Sequence, residues 1–462
     1  MTDIFTEKQQ THEDTPGELT LDDALALAIE LHRKGEIDTA DVLYERILEI
    51  APEHSDALHY RGLIALYRGK KEAALELVTR SIALGPANAD RCSNLGNVLI
   101  AAGRIDEAVE AYRNAIALAP EHANAYMNLG VILGALKRYE EAAKAHQRAI
   151  ELNPASAAAY CNFGNMLLRQ GKLHEAIPYY CRSFTLEPQN SAARTSLAFA
   201  YIALGEREQA VEIYEQWLAD EPGAPEPTHL LAACLGRNVP ARAPDAYIEK
   251  AFDNFARTFD QKLQQLEYRA PQLVASALAR SVESPCKALC VLDAGCGTGL
   301  CGSLLAPYSS RLIGVDLSTG MLDEARKRGV YDELFKEELT SFIARHAQAF
   351  DAIVSADTLC YFGALEAVFE AAFAALRRGG VFILTLEETV CADRNYVLTP
   401  HGRYAHTARY VERILRDCGF TQVALERAVL RFELRAPVNG LVVTAAKLDE
   451  AAQSAFAQHQ PR

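Results

Sequence analysis

Two kinds of hydrophobic patterning divide the chain. From Leu21 to about Ala224, apolar residues recur at helical spacing in paired stretches. Ala89–Ala102 is one example, broken at Gly103-Arg104 and resumed over Ile105–Leu118 before Pro120. The pairs repeat: Pro52, Pro86, Pro120, Pro154, Pro188 and Pro222 fall 34 residues apart, as do Ala40, Ala74, Ala108, Ala142, Ala176 and Ala210. Gly62, Gly96, Gly130 and Gly164 form a third series, and the turns carry Gly35, Gly69, Gly103, Lys137, Gly171 and Gly205. Small residues let paired helices approach closely, and each proline stops a second helix. Beyond Val239–Pro244 the pattern becomes short apolar runs alternating with helical stretches. The run around Val291 and Leu292 predicts a first strand, followed by Arg311–Asp316, Asp332–Phe335, Phe350–Ser355 and Gly380–Leu386. That alternation predicts a parallel sheet with helices on both faces, and Thr421–Glu433 with Gly440–Lys447 an antiparallel hairpin that closes it.

The expected organisation is therefore multidomain: an all-α solenoid followed by an α/β domain. Residues 1–20 form a polar lead-in expected to be disordered, and 21–238 hold six repeats plus a capping helix near Thr228–Gly236. Residues 239–245 are the linker, 246–448 the α/β domain and 449–462 a tail. The repeats resemble the tetratricopeptide repeat in their small, aromatic and proline positions. Tyr44, Tyr112, Tyr180 and Tyr214 fill the aromatic slot, while Val78 and His146 depart from it. His146 reads as a packed side chain. Stacked units of this kind present an extended concave surface.

Asn94, Asn128 and Asn162 lie one repeat apart, each just before the Leu-Gly or Phe-Gly pair of its first helix. Asparagine is a mediocre helix former, so propensity does not account for three in register. Its carboxamide offers a donor and an acceptor, matching a peptide unit of an extended chain. The repeats of O-linked N-acetylglucosamine transferase are similar, with asparagines at the same position gripping substrate backbone. The resemblance implies a polypeptide partner in the groove; amides bonding neighbouring helices are the alternative.

Ala288–Gly302 reads ALCVLDAGCGTGLCG: a strand, a glycine-rich turn and the start of a helix. Gly295, Gly297 and Gly299 let backbone approach a ligand without a β-carbon in the way. The six residues from Gly297 also fit G-x-G-x-x-G, a weak match by itself. Asp293, two residues before the first glycine, completes D-x-G-x-G-x-G, which resembles class I methyltransferases and their Rossmann-like fold. That resemblance implies S-adenosyl-L-methionine as cofactor. Asp293 would orient the methionine ammonium, Asp316 at the end of the second strand would accept both ribose hydroxyls, and Leu317 and Met321 would flank the adenine. Cys296 belongs to the same loop, Glu338 and Leu339 stand where the family contacts the adenine amine, and Arg269 is a candidate partner for the cofactor carboxylate. Phe252, Phe255 and Phe259 share one face of a helix predicted over Tyr247–Leu263, which in many such enzymes lids the cofactor.

Methyl transfer is an in-line displacement, so positioning dominates, and a base is needed only for a protonated acceptor. The fourth strand releases Ala356-Asp357-Thr358-Leu359-Cys360-Tyr361, not the D/N-P-P-aromatic motif of exocyclic nucleobase methylation. Pro285-Cys286 precedes the first strand, the wrong place for a cytosine nucleophile. Thr399–Thr407 (TPHGRYAHT) is predicted as a loop bordering the acceptor pocket, with Thr407 capping the next helix. There Arg403 is expected to hold an anionic group, Tyr404 to contact substrate and His406 to act as base or donor, with Asp357 and Tyr361 opposite as catalytic candidates. His401 and His406 lack further ligands, so no metal is expected.

Half of the residues are hydrophobic and 23% charged, a globular composition. The net charge of −14 argues against a nucleic-acid backbone binder. No apolar run reaches the roughly 18–20 residues of a membrane span. Met1–Thr20 lacks the features of a signal peptide, and eleven scattered cysteines without paired spacing suggest reduced thiols. A cytoplasmic location is the expectation. The FDNFARTFD, YRAP, DAGCGTG, ADTLCYFGAL and HGRYAHT stretches resemble bacterial methyltransferases that carry tetratricopeptide repeats. The expected function is methylation of a protein or peptide captured by the repeats. The alternatives are a small-metabolite enzyme whose repeats serve assembly, and a non-enzymatic scaffold.

Overall fold

The computed structural model describes residues 20–253, 255–282, 287–391, 393–433 and 436–448. The expected lead-in up to residue 19, the tail from 449 and the Pro285-Cys286 pair lie outside the described residues. The chain forms two compact units, one ending at Ala200 and the other beginning at Tyr201.

The first unit is a run of antiparallel helix pairs: Leu21–Arg33 with Ile37–Ile50, Ser55–Tyr67 with Lys71–Leu84, Ala89–Ala101 with Ile105–Leu118, Ala123–Ala135 with Tyr139–Leu152, and Ala157–Arg169 with Leu173–Leu186. Thr20 opens the first helix through a capping box with Asp23. Each series of small residues has a steric cause. The repeat alanines Ala40, Ala74, Ala108, Ala142 and Ala176 are each 0% exposed. A β-carbon on Gly62, Gly96, Gly130 or Gly164 would come within 2.6–2.7 Å of Val78, Tyr112, His146 or Tyr180 respectively. The aromatic slot of one helix thus rests directly on the glycine of its partner. At the turns the chain needs a left-handed residue, and Lys137 takes it at φ 61° where other repeats use glycine.

Two of the slot tyrosines carry a second pairing. Tyr112 Oη donates to Asn97 Oδ1 at 2.7 Å, and Tyr180 Oη to Asn165 Oδ1 at 2.8 Å. In the repeat between them both partners change together: Val131 stands at the asparagine position and His146 at the tyrosine position. His146 is wholly buried, stacks on Phe163 at 5.5 Å, and neither ring nitrogen has a partner. Burial accordingly lowers its pKa to about 4.

In the second unit the helices Arg207–Asp220 and Pro225–Leu235 pack on one another. The segment expected to cap the solenoid lies in this unit: His229 Nε2 contacts the Gly402 carbonyl at 2.9 Å, and its ring lies 4.7 Å from that of Tyr247. Among the described residues nine strands form one sheet: β1 (Leu289–Ala294), β2 (Ser309–Asp316), β3 (Glu333–Lys336), β4 (Phe350–Ser355), β5 (Leu376–Glu388), β6 (Tyr396–Leu398), β7 (Tyr404–His406), β8 (Gln422–Glu433) and β9 (Ala436–Ala446). The parallel strands run in the order β3-β2-β1-β4-β5. β9 pairs antiparallel with β5, and β8 with β9, closing the sheet with the expected hairpin. β1, β4 and β5 are apolar on both faces because helices cover each side, giving two hydrophobic clusters. This is a Rossmann-like α/β fold.

Two segments differ from expectation. Tyr404–His406 is a strand rather than loop, paired parallel to the end of β5 through Glu387 and Glu388 and antiparallel to β6. The single helix expected over Tyr247–Leu263 is two, Asp245–Asp253 and Ala256–Gln265.

Candidate active site

In an open α/β sheet the carboxyl ends of neighbouring strands that diverge in chain order leave a crevice. Here β1 is followed by β2 on one side and has β4 on the other, and a cavity of about 360 Å³ opens at that point.

Its floor is the glycine-rich turn after β1. Asp316 ends β2 with both carboxylate oxygens engaged by backbone: Gly297 N–H donates to Oδ2 and Ser318 N–H to Oδ1, each at 2.9 Å. Burial raises its pKa, and these amides oppose the rise. A carboxylate offers about four lone-pair sites, so acceptor capacity remains beyond these amides, and Asp316 lines the cavity. Gly297, at φ +53°, also lines it, and a β-carbon there would meet nothing within 4 Å. Leu317, Met321 and Leu339 supply an apolar wall beside Asp316. Gly295 is needed for a different reason, since a β-carbon would strike the Thr358 side chain after β4. Cys296 completes the lining of the turn.

Asp293 lies one layer behind. It is 1% exposed, accepts from Tyr331 Oη at 2.6 Å, and its Oδ1 has no partner. Burial lifts its pKa to about 7, against the pull of the tyrosine hydroxyl.

The roof is aromatic. Phe252 and Phe259 line the cavity from the two helices after Pro244, and Phe255 from the residue that opens the second. Carboxylates pin these helices to the floor. Asp253 accepts from Ser318 Oγ and from Gly320 N–H, the latter at 2.9 Å. Asp260 accepts from Thr298 Oγ and pairs with Arg328, whose Nε donates to the Thr298 carbonyl at 2.6 Å.

The far wall is ionic. Arg431, at the end of β8 and 3% exposed, donates to Asp357, Glu387 and Glu433. Arg403 donates through Nε to Glu387 at 2.6 Å and through Nη2 to both oxygens of Glu433 at 2.8 Å. Burial disfavours charge on either guanidinium, yet the surrounding carboxylates hold both more firmly protonated than usual. Asp357 sits after β4 at φ 59°, its amide donating to Thr385 Oγ1 at 2.8 Å. Burial raises the Asp357 pKa and Arg431 opposes the rise. Tyr268 and Tyr361 border this wall, the latter edge-on to Phe252 at 5.6 Å.

The structure thus brings together Gly295, Cys296, Gly297, Asp316, Leu317, Met321, Leu339, Asp357, Tyr361 and Arg403 around one cavity. Other expectations need correction. His406 is 0% exposed on β7, its Nε2 facing the Gly363 carbonyl at 3.1 Å; burial lowers its pKa to about 4, and it does not line the cavity. It is a core side chain and not the base. Tyr404 is equally buried and donates to the Pro240 carbonyl at 2.7 Å, so it packs rather than recognises. Arg403 reaches the cavity but is committed to Glu387 and Glu433, leaving it a poor holder of an anion. Glu338 caps the helix Leu339–Ala344 by accepting from Thr340 and Ser341 amides and pairs with Arg242, while its neighbour Glu337 faces the cavity. Arg269 is 54% exposed beside Glu267, and Gly299 backs onto the Tyr331 ring. Arg431, Glu433, Glu387, Tyr268 and Tyr331 were not anticipated. Among the described residues no cluster of His, Cys, Asp and Glu suits a metal ion, and no helix is long and apolar enough to cross a membrane.

In the first unit, Asn94 and Asn128 share a polar cleft with Asp90, Asn97, His122 and Asn124. Asn94 Nδ2 lies 3.1 Å from His59 Nε2, and Asn128 Nδ2 donates to Asn97 Oδ1 at 3.2 Å. Asn162, half-buried at the same repeat position, is not in that cleft.

A family model described as a methyltransferase domain matches residues 292–384, covering the glycine turn through β5. Tetratricopeptide-repeat models match residues 25–89, 93–157, 147–177 and 167–234. The chain therefore joins tetratricopeptide repeats to a Rossmann-like methyltransferase domain. Methyltransferase-like protein 27 of Homo sapiens is 40% identical over 84 residues, 18% of this chain and 34% of that protein. The 18S rRNA (guanine-N(7))-methyltransferase of Bos taurus is 29% identical over 168 residues, 33% of this chain and 58% of its own length. The chain spans less than two thirds of either relative. The crystal structure of PilW, a type IV pilus biogenesis factor, is 21% identical and covers 46% of this chain and 98% of its own, with a TM-score of 0.43.

Proposed function

We propose that this methyltransferase uses S-adenosyl-L-methionine and methylates a polypeptide captured by its repeats. One observation carries the cofactor reading: Asp316 stands at the tip of β2, joined to Gly297, with its carboxylate on the cavity. Two ribose hydroxyls suit such an acceptor, and a pyrophosphate beside Asp293 and Asp316 does not. The residues present fit the group in other respects. The open face of Gly297 leaves room for a ligand, the unpartnered Oδ1 of Asp293, set one layer behind the cavity, suits an ammonium reached through water, and Leu317, Met321 and Leu339 suit adenine. When bound, the cofactor supplies an electrophilic methyl on a sulfonium. The chain's part is to orient it through Asp316 and the glycine turn, and to exclude water with Phe252, Phe255 and Phe259. Asp357 and Tyr361 face the acceptor, Asp357 being the group able to take up a proton.

The polypeptide reading rests on Asn94 and Asn128 in one polar cleft, with Asn162 continuing the row. Their contacts with His59 and Asn97 favour a second reading, methylation of a small metabolite with the repeats serving assembly. Incubating the protein with methyl-labelled S-adenosylmethionine and host lysate separates them. Label in protein supports capture of a polypeptide, and label confined to small molecules contradicts it.

A further inference from the structure

The charge on the far wall of the cavity specifies the acceptor chemistry. Asp357, Glu387 and Glu433 supply three carboxylates, and Arg403 and Arg431 supply two guanidiniums. With all five ionised, the cluster carries one net negative charge. Both guanidiniums are already bonded to the chain's own carboxylates, so neither is left to grip a carboxylate or phosphate. Asp357 lines the cavity and has one oxygen, Oδ1, buried with no hydrogen-bond partner. A buried, unpaired carboxylate oxygen is costly. A ligand that brings N–H donors and a positive charge satisfies the oxygen and neutralises the cluster together. Tyr268, Tyr361 and Phe252 line the adjoining wall, and aromatic faces attract cations. An alcohol would satisfy the oxygen but leave the charge, and an anion would be repelled.

Resting on the methyltransferase reading above, we propose that the acceptor is an aliphatic amine, such as a lysine side chain, that enters as its ammonium and is held and deprotonated by Asp357. An ammonium has no lone pair, so a proton must leave before transfer. The Asp357 carboxylate takes that proton. The freed nitrogen lone pair forms the N–C bond to the methyl as the S–C bond breaks, its electron pair going to sulfur. The product leaves as a methylated ammonium, and Asp357 returns its proton to solvent. Burial, which raises the Asp357 pKa against Arg431, moves the carboxylate toward this role.

The test uses the full chain saturated with S-adenosylhomocysteine, titrated with n-butylamine, n-butanol and butyrate. Binding of S-adenosylhomocysteine is measured first, and its absence overturns the methyltransferase reading together with the proposal. Given that binding, butylamine is expected to bind in preference to butanol and butyrate. Asp357→Asn should weaken the amine by about tenfold or more while leaving S-adenosylhomocysteine affinity in place. Asparagine is apt because it tolerates the left-handed backbone at this position. Absent amine binding, equal binding of butyrate or butanol, or amine affinity unchanged in Asp357→Asn overturns the proposal. If the variant melts early, the wild-type preference for butylamine over butyrate still decides.

Discussion

The amide of Gly297 donates to the carboxylate of Asp316 at 2.9 Å, so the glycine turn after β1 and the acid at the end of β2 are one preassembled unit. Asp316→Ala should therefore remove an acceptor for both ribose hydroxyls and loosen the turn as well. Charge-assisted bonds contribute about 1.5–3 kcal/mol each, so S-adenosylmethionine affinity should fall at least about tenfold. Calorimetry on a folded variant checks this, and unchanged affinity would remove Asp316 from the site.

Arg431 bonds to three carboxylates at the far wall of the cavity. Arg431→Met keeps much of its volume but leaves Asp357 without its cation and Glu387 and Glu433 sharing Arg403. Breaking a buried ionic cluster from one side costs about 3–5 kcal/mol. Urea denaturation should show a loss of that order for the second unit. A loss below about 1 kcal/mol would mean the cluster is solvated.

His146 links the repeat array to pH. Its folded pKa, about 4, lies below the ordinary histidine value, so the unfolded chain binds more protons between the two. Stability is present above about pH 6.5 and is lost as pH falls toward 4. Val131→Asn with His146→Tyr recreates the pairing seen at Asn97–Tyr112 and Asn165–Tyr180. Circular-dichroism melts of the double variant should lose less stability between pH 7 and pH 5 than the parent does. An unaltered pH slope would show that His146 does not titrate on unfolding.

If the asparagine row holds a polypeptide backbone, replacing Asn94, Asn128 and Asn162 together by Ala should raise KM for a labelled polypeptide substrate and spare cofactor affinity. Neutral hydrogen bonds contribute about 0.5–1.5 kcal/mol each before ordering costs. Ala is the better helix former, so the array should stay folded. Unaltered kinetics on the full-length substrate would move the docking site elsewhere.

Much of this molecule is legible in the sequence because its constraints are local. The 34-residue series of Ala, Gly and Pro reflects contacts that recur in each repeat, such as Gly96 against Tyr112. The glycine turn and Asp316 are readable because loop and acid each follow a strand directly. The far wall of the cavity is less legible because its contacts are remote in sequence. Arg431 reads as an ordinary strand charge until β8 and β9 fold onto β5 and carry it to Asp357, 74 residues away. Tyr404 and His406 look chemically active in a supposed loop, yet alternate pairing with β5 and β6 buries them. Glu338 shows the same limit at short range, since its helix cap was the stronger demand.

The central claim is that the glycine turn and Asp316 bind the methyl donor, and titration of the full chain with S-adenosylmethionine tests it most directly. Calorimetry should show saturable binding at one site per chain, competed by S-adenosylhomocysteine and lost on Gly297→Val, which adds a side chain at a residue lining the cavity. No heat of binding, or binding that Gly297→Val and Asp316→Ala both leave unchanged, would contradict the account.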